Sequence, residues 1–113
     1  MWVAQNPHVE YALDGVEIIS NASCSHHELR KLEYRYKMIK NATYRNGGVY
    51  MYSNLKGCDG GRLYFDGASS ITMNGEILTQ LPQFSIGEID VDVATIDLDI
   101  VRCHRASNNS RGR

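Results

Sequence analysis

Three cysteines, four histidines and a short serine cluster are the residues of this 113-residue chain whose types could carry chemistry. Cys58 lies in Lys56-Gly-Cys-Asp-Gly-Gly-Arg62, and flanking cations lower a thiol's pKa and favour the nucleophilic thiolate. No general base is placed beside it by spacing, so the residues alone read it as a structural loop cysteine. Cys24 sits between Ser23 and Ser25 ahead of a predicted helix, where a thiolate would gain from the helix dipole. A small residue in a tight turn accounts for it better. His26 and His27 are adjacent and point in different directions on a helix, so they cannot both face one metal. The glycine-rich loop lacks the GxxxxGKS or GxxxxGKT spacing of a phosphate-binding loop.

Composition bounds the rest. A formal charge of -1 gives no field that would draw nucleic acid or an anionic membrane. Apolar residues at 42% and charged residues at 22% are the mix of an ordinary globular chain. An odd number of cysteines with no CxxC pair argues against a disulfide framework or a zinc site. The acceptor patterns Asn21-Ala-Ser23, Asn41-Ala-Thr43 and Asn108-Asn-Ser110 read as chance matches, because the start has no signal-peptide layout. A soluble, intracellular protein is expected, with neither nucleic acid nor membrane as partner.

These residues must be positioned by local elements. Asn6-Pro7 is a helix start, and Asp14-Gly15 stops that helix after Leu13. Val16 to Ile19 reads as a buried strand ending in the small polar run Ser20 to Ser23. Ser25-His-His-Glu28 matches a capping box. A long helix is expected to follow, with Leu29, Leu32, Tyr36 and Ile39 on its apolar face and Arg30, Lys31, Arg35, Lys37 and Lys40 solvated. Asn46-Gly47-Gly48 closes it.

Strands are then expected at Val49 to Ser53, Arg62 to Asp66 and Ser69 to Met73, with a loop at Gly57 to Gly61. Asn74-Gly75 is a two-residue hairpin turn into Glu76-Ile77-Leu78. An irregular stretch begins at Pro82, a last strand runs from Val91 to Leu98, and a polar, mobile tail ends the chain. The order gives an α/β layer arrangement. Two helices are too few to cover both faces of such a sheet, which implies missing chain or a partner.

Two long runs carry a resemblance. Pro7-His8-Val9-Glu10-Tyr-Ala-Leu-Asp-Gly-Val-Glu-Ile-Ile-Ser-Asn-Ala-Ser-Cys-Ser-His-His-Glu-Leu-Arg-Lys31 is the first. Gly47-Gly-Val-Tyr-Met-Tyr-Ser-Asn-Leu-Lys-Gly-Cys-Asp-Gly-Gly-Arg-Leu-Tyr-Phe-Asp-Gly67 is the second. Together with Met73-Asn-Gly-Glu76, Gln83-Phe-Ser85 and Ala94-Thr-Ile-Asp-Leu98, they resemble the glutaminase domain of eukaryotic-type glutamine-dependent NAD synthetases. The resemblance implies part of a nitrilase-like α-β-β-α sandwich, incomplete at its N-terminal side. Residues 1–105 would belong to the carbon-nitrogen hydrolase domain and 106–113 to a tail leading toward a synthetase domain.

In that family a cysteine attacks the glutamine side-chain amide, aided by a glutamate base and a lysine. Ammonia then passes to an ATP-dependent domain that converts deamido-NAD to NAD. Trp2 looks like the end of the segment that carries the nucleophile, so cysteine, glutamate and lysine are all expected ahead of Met1, and the chain alone is expected to be inactive. What carries over is the substrate side. Ser25, with Ser23 as the alternative, and Lys31, with its neighbour Arg30 as the alternative, would hold the head group of L-glutamine. No cofactor is expected in this chain; ATP and Mg would belong to the absent synthetase domain. The parent is expected to be cytoplasmic and homo-oligomeric. A fragment of another carbon-nitrogen hydrolase, or a non-catalytic binding or assembly module, is the alternative.

Overall fold

A computed structural model describes residues 2–108. Of the polar tail expected at 106–113, Ala106 and Ser107 are helical, and residues 109–113 lie outside the described residues.

Helix α1, Pro7–Leu13, begins where Pro7 needs no backbone hydrogen bond, with Asn6 extended before it. It ends in a Schellman arrangement, with the Gly15 N–H on Ala12 O and the Val16 N–H on Tyr11 O. Gly15 takes the left-handed conformation at φ +105°. Because Val16 is consumed in that cap, strand β1 starts two residues later than expected, at Ile18–Ser23, and runs through the polar stretch read as its end.

Helix α2, Lys31–Asn46, carries the chain across to β2, Val49–Asn54, which pairs parallel with β1 as a helical crossover allows. A short ribbon of β3, Lys56–Cys58, and β4, Tyr64–Asp66, leaves this sheet, so Gly57 and Cys58 of the expected loop are paired strand. Strands β5, Ser70–Met73, and β6, Glu76–Gln80, complete a four-stranded sheet in the order β1-β2-β5-β6. Asn74 and Gly75, at φ +49° and +93°, form the expected two-residue turn between them. The apolar centre is Ile39 of α2 against Tyr50 and Tyr52 of β2, flanked by Ile19 and Tyr36.

Residues 91–98 do not form the expected strand. Val91 and Val93 are exposed, and the segment has no ladder partner among the described residues. Alternating β-branched residues specify a strand only where another strand accepts their backbone. At Asp97 the side chain accepts from the Asp99 N–H and starts a third helix, α3, Leu98–Ser107, so the described residues hold three helices rather than two. Arg105 fastens α3 by donating to the carbonyls of Gly15, Val16 and Gly47.

Candidate functional site

The loop 24–30 between β1 and α2 gathers the predicted substrate-side residues. The capping box is not formed. Helix α2 starts at Lys31, and Arg30 precedes it in the left-handed region at φ +65° with no side-chain cap. Ser25 is withdrawn from any capping role because its polar groups bond to distant parts of the chain. Its N–H donates to Asn54 Oδ1 at 2.8 Å, and its carbonyl accepts from Asn54 Nδ2 at 3.0 Å. Its hydroxyl oxygen accepts from Arg35 Nη2 at 3.3 Å. Ser25 is only 7% exposed.

Arg35 corrects the reading of α2 as an outwardly solvated basic helix. It is fully buried, 0% exposed, and donates to Asp66 Oδ1 at 3.0 Å and to the Gly67 carbonyl at 3.3 Å. Its guanidinium also lies 5.6 Å from the Tyr52 ring centre. Asn54 Nδ2 adds contacts to Asp66 Oδ1 and Gly67 O, and Gln83 Nε2 donates to Asp66 Oδ2 at 2.8 Å. Burial by itself would raise the Asp66 pKa. The hydrogen bonds from Gln83 and Arg35, with the Arg35 charge, overcome that and hold the carboxyl below its ordinary range. One signal in the sequence marks Arg35: it stands three residues after Leu32 and four before Ile39, inside the apolar stripe.

Lys31 precedes Arg35 by four residues and so shares its helix face. Its side chain is largely covered, with Nζ 2.8 Å from Glu28 Oε1 and 3.4 Å from His26 Nε2. The same ammonium stands 5.6 Å from the Trp2 ring centre. His26 Nε2 is 2.7 Å from Glu28 Oε1. The Glu28 carboxyl is held below its usual range, first by the hydrogen bond from Lys31 and then by the Lys31 charge. Lys31, Glu28 and His26 therefore form one polar cluster on the loop, while the Ser25 hydroxyl is turned toward Arg35.

The alternatives fall elsewhere. Arg30 is exposed. Ser23 lines an open cavity of about 550 Å³ together with Cys24, Lys56 and Asp90. Cys24, Cys58 and Cys103 are free and exposed. Cys58 Sγ accepts from the Gly60 N–H at 3.3 Å, within a turn in which Asp59 Oδ1 accepts from Gly61, Arg62 and Leu63. That turn explains the glycine-rich loop without any base beside the thiol. Among the described residues no group of three or more His, Cys, Asp or Glu side chains could hold a metal, and no helix is long and apolar enough to cross a membrane.

The chain is 54% identical over 112 residues to a glutamine-dependent NAD(+) synthetase of Saccharomyces cerevisiae, covering 99% of this chain and 16% of that protein. The chain thus spans about a sixth of the length of the curated relatives it matches. Among solved structures, a glutamine-dependent NAD(+) synthetase from Cytophaga hutchinsonii superposes with TM-score 0.66 at 26% identity, over 85% of this chain and 17% of that one. A carbon-nitrogen hydrolase from Helicobacter pylori, at 21% identity, shares the fold with TM-score 0.70 over 85% of this chain and 37% of that one. The α/β arrangement is thus that of the nitrilase-like enzymes. The carbon-nitrogen hydrolase family model matches residues 1–106, and the chain belongs to that family.

Proposed function

We propose that these residues form the substrate-holding flank of the glutaminase unit in a glutamine-dependent NAD synthetase. The reading is supported chiefly by the 54% identity to the yeast relative across 99% of this chain. Ser25 and Lys31, at the two ends of the loop before α2, are the residues that give that identity a chemical meaning. The Ser25 hydroxyl donates to one oxygen of the glutamine α-carboxylate, and the Lys31 ammonium neutralises it. The glutamine side chain is thereby aimed away from the loop, toward a cysteine that on this reading lies outside these 113 residues.

There the thiolate adds to the amide carbon, ammonia leaves with a proton from the general acid, and water then cleaves the thioester to glutamate and thiol. ATP and Mg serve a separate synthetase unit that consumes the ammonia, and no step in this chain runs through either. A cytoplasmic, homo-oligomeric parent completes the proposal.

The test is a segment exchange, with this chain replacing the matching residues of the yeast relative. Glutamine-dependent NAD formation is expected to survive the exchange. Ser25→Ala and Lys31→Met should each raise the glutamine KM about tenfold, the effect of losing one charge-assisted hydrogen bond. NAD formation from added ammonia should be unchanged, because it bypasses the glutaminase. An exchange that works with ammonia but not with glutamine, or a Ser25→Ala variant with unaltered KM, overturns the reading.

A further inference from the structure

We infer that Arg35, held by Asp66, is a positioning residue that fixes the direction in which the Ser25 hydroxyl donates. The inference rests on the reading of Ser25 as a substrate contact.

A serine hydroxyl has one hydrogen and two lone pairs, and it turns freely to suit its neighbours. Arginine only donates. Arg35 Nη2 gives one hydrogen to Asp66 Oδ1 and shares the other between Ser25 Oγ at 3.3 Å and the Ser25 carbonyl at 3.5 Å, so the hydroxyl hydrogen turns away from the guanidinium. Among the described residues it meets no acceptor of its own. The buried cation also polarises the hydroxyl and makes it a better donor to an anion. The direction of that donation is thus set from behind, by a group the substrate never touches.

The rest of the cluster keeps the guanidinium from turning. Asp66 Oδ1 and Gly67 O each take one arm. Asn54 ties Asp66, Gly67 and the Ser25 backbone into one piece, with its own Oδ1 receiving the Tyr52 hydroxyl at 3.3 Å. Gln83 holds the other oxygen of Asp66. Three separated parts of the chain, at 25–35, at 54 and at 66–83, therefore meet behind one hydroxyl. A buried ion pair stabilises a fold no better than packed apolar groups of similar size. It does fix geometry, since each of its bonds has a required direction.

The experiment uses the exchanged, full-length chain and a cycle of Arg35→Lys, Ser25→Ala and the double variant. Lysine keeps the charge but loses the fork. Arg35→Lys is expected to raise the glutamine KM about tenfold with ammonia-dependent synthesis unchanged, and to add nothing once Ser25 is alanine, because the residue acts through that hydroxyl. Independent, multiplicative effects of the two substitutions overturn the positioning role while leaving Ser25 as a contact. A Ser25→Ala variant without effect overturns the substrate reading itself. If Arg35→Lys does not fold, Gln83→Ala loosens Asp66 from the partly exposed rim. The same coupling to Ser25 is then expected at about two- to threefold, and its absence is equally decisive.

Discussion

Lys56 Nζ lies 2.6 Å from Asp90 Oδ2 and ties the irregular strap of residues 82–97 to strand β3. Ser85 Oγ donates to the other Asp90 oxygen at 2.8 Å, Lys56 also donates to the Gly87 carbonyl, and Thr79 donates to Asp92. The strap contributes little apolar burial, since Ile86, Ile89, Val91 and Val93 are exposed. Polar ties therefore hold it, and its opening should respond to pH. The Asp90 carboxyl is held below its usual range, first by the Lys56 hydrogen bond and then by Ser85. A depressed carboxyl pKa gives a contribution that is complete above the ordinary carboxylate range and lost as pH falls through the folded value. Protection of residues 85–96 from hydrogen exchange, taken relative to the intrinsic rate at each pH, should fall in acid, and Asp90→Asn should show the lower protection already at neutral pH. Equal protection in variant and parent would show that the tie does not hold the strap.

Gly75 is expected to be intolerant of any side chain. Its φ of +93° disfavours L residues, and an added Cβ would lie 2.9 Å from Tyr44 Cβ. Its N–H also donates to Thr43 Oγ1 at 2.9 Å, joining the β5–β6 turn to the end of α2. Gly75→Ala should cost about 1–3 kcal/mol in urea unfolding, the range for a strained non-glycine conformation. A change below about 0.5 kcal/mol, typical of a surface substitution, would mean that the turn relaxes freely.

Much of this was legible in the residues because local rules decide it. Asn74-Gly75 needs only its own two conformations to make the turn, and the close of α2 at Asn46-Gly47 needs only a left-handed glycine. The parts that were not legible depend on partners far along the chain. Ser25 has the sequence context of a cap, but Asn54 and Arg35 take its polar groups, so the helix begins at Lys31 instead of His26. Arg35 looked solvated because its neighbours are basic, while its counterion is 31 residues away. Residues 91–98 have strand composition, yet a strand needs a second backbone beside it. Ser25 and Lys31 were singled out from the sequence, whereas the Arg35, Asn54 and Asp66 cluster behind Ser25 was missed, because its members are brought together only by the fold.

His8 gives a second pH dependence with the same sign from a base. Its Nδ1 is buried without a hydrogen-bond partner among the described residues, and its ring meets Tyr50 edge-on, 6.4 Å between centres. Burial lowers its pKa, since the charged form is less well solvated there than in water. Folding therefore favours neutral His8. That contribution is present above the unfolded histidine value of about 6.5 and is lost as pH falls through the folded value. His8→Phe should flatten the stability profile below about pH 6.5 while keeping the contact with Tyr50. An unchanged slope in urea midpoints across that window would place the titration elsewhere.

Cys58 remains the residue most easily mistaken for a nucleophile, and the structure gives a direct test. The thiol lies at the exposed tip of the β3–β4 ribbon and accepts a backbone N–H. A reacting thiol needs a base within hydrogen-bond reach, and the Asp59 carboxylate is instead occupied by three backbone donors. Those donors, with Leu63 and Gly61 foremost, hold the Asp59 carboxyl below its usual range, so it makes a poor proton acceptor at neutral pH. The 113-residue chain incubated with glutamine should release no ammonia above the uncatalysed background. In the exchanged yeast enzyme, Cys58→Ala should leave glutamine turnover within about twofold, the reach of an ordinary surface substitution. Ammonia release by the short chain that disappears in Cys58→Ala would make this loop, rather than the Ser25 to Lys31 segment, the place where the amide is attacked.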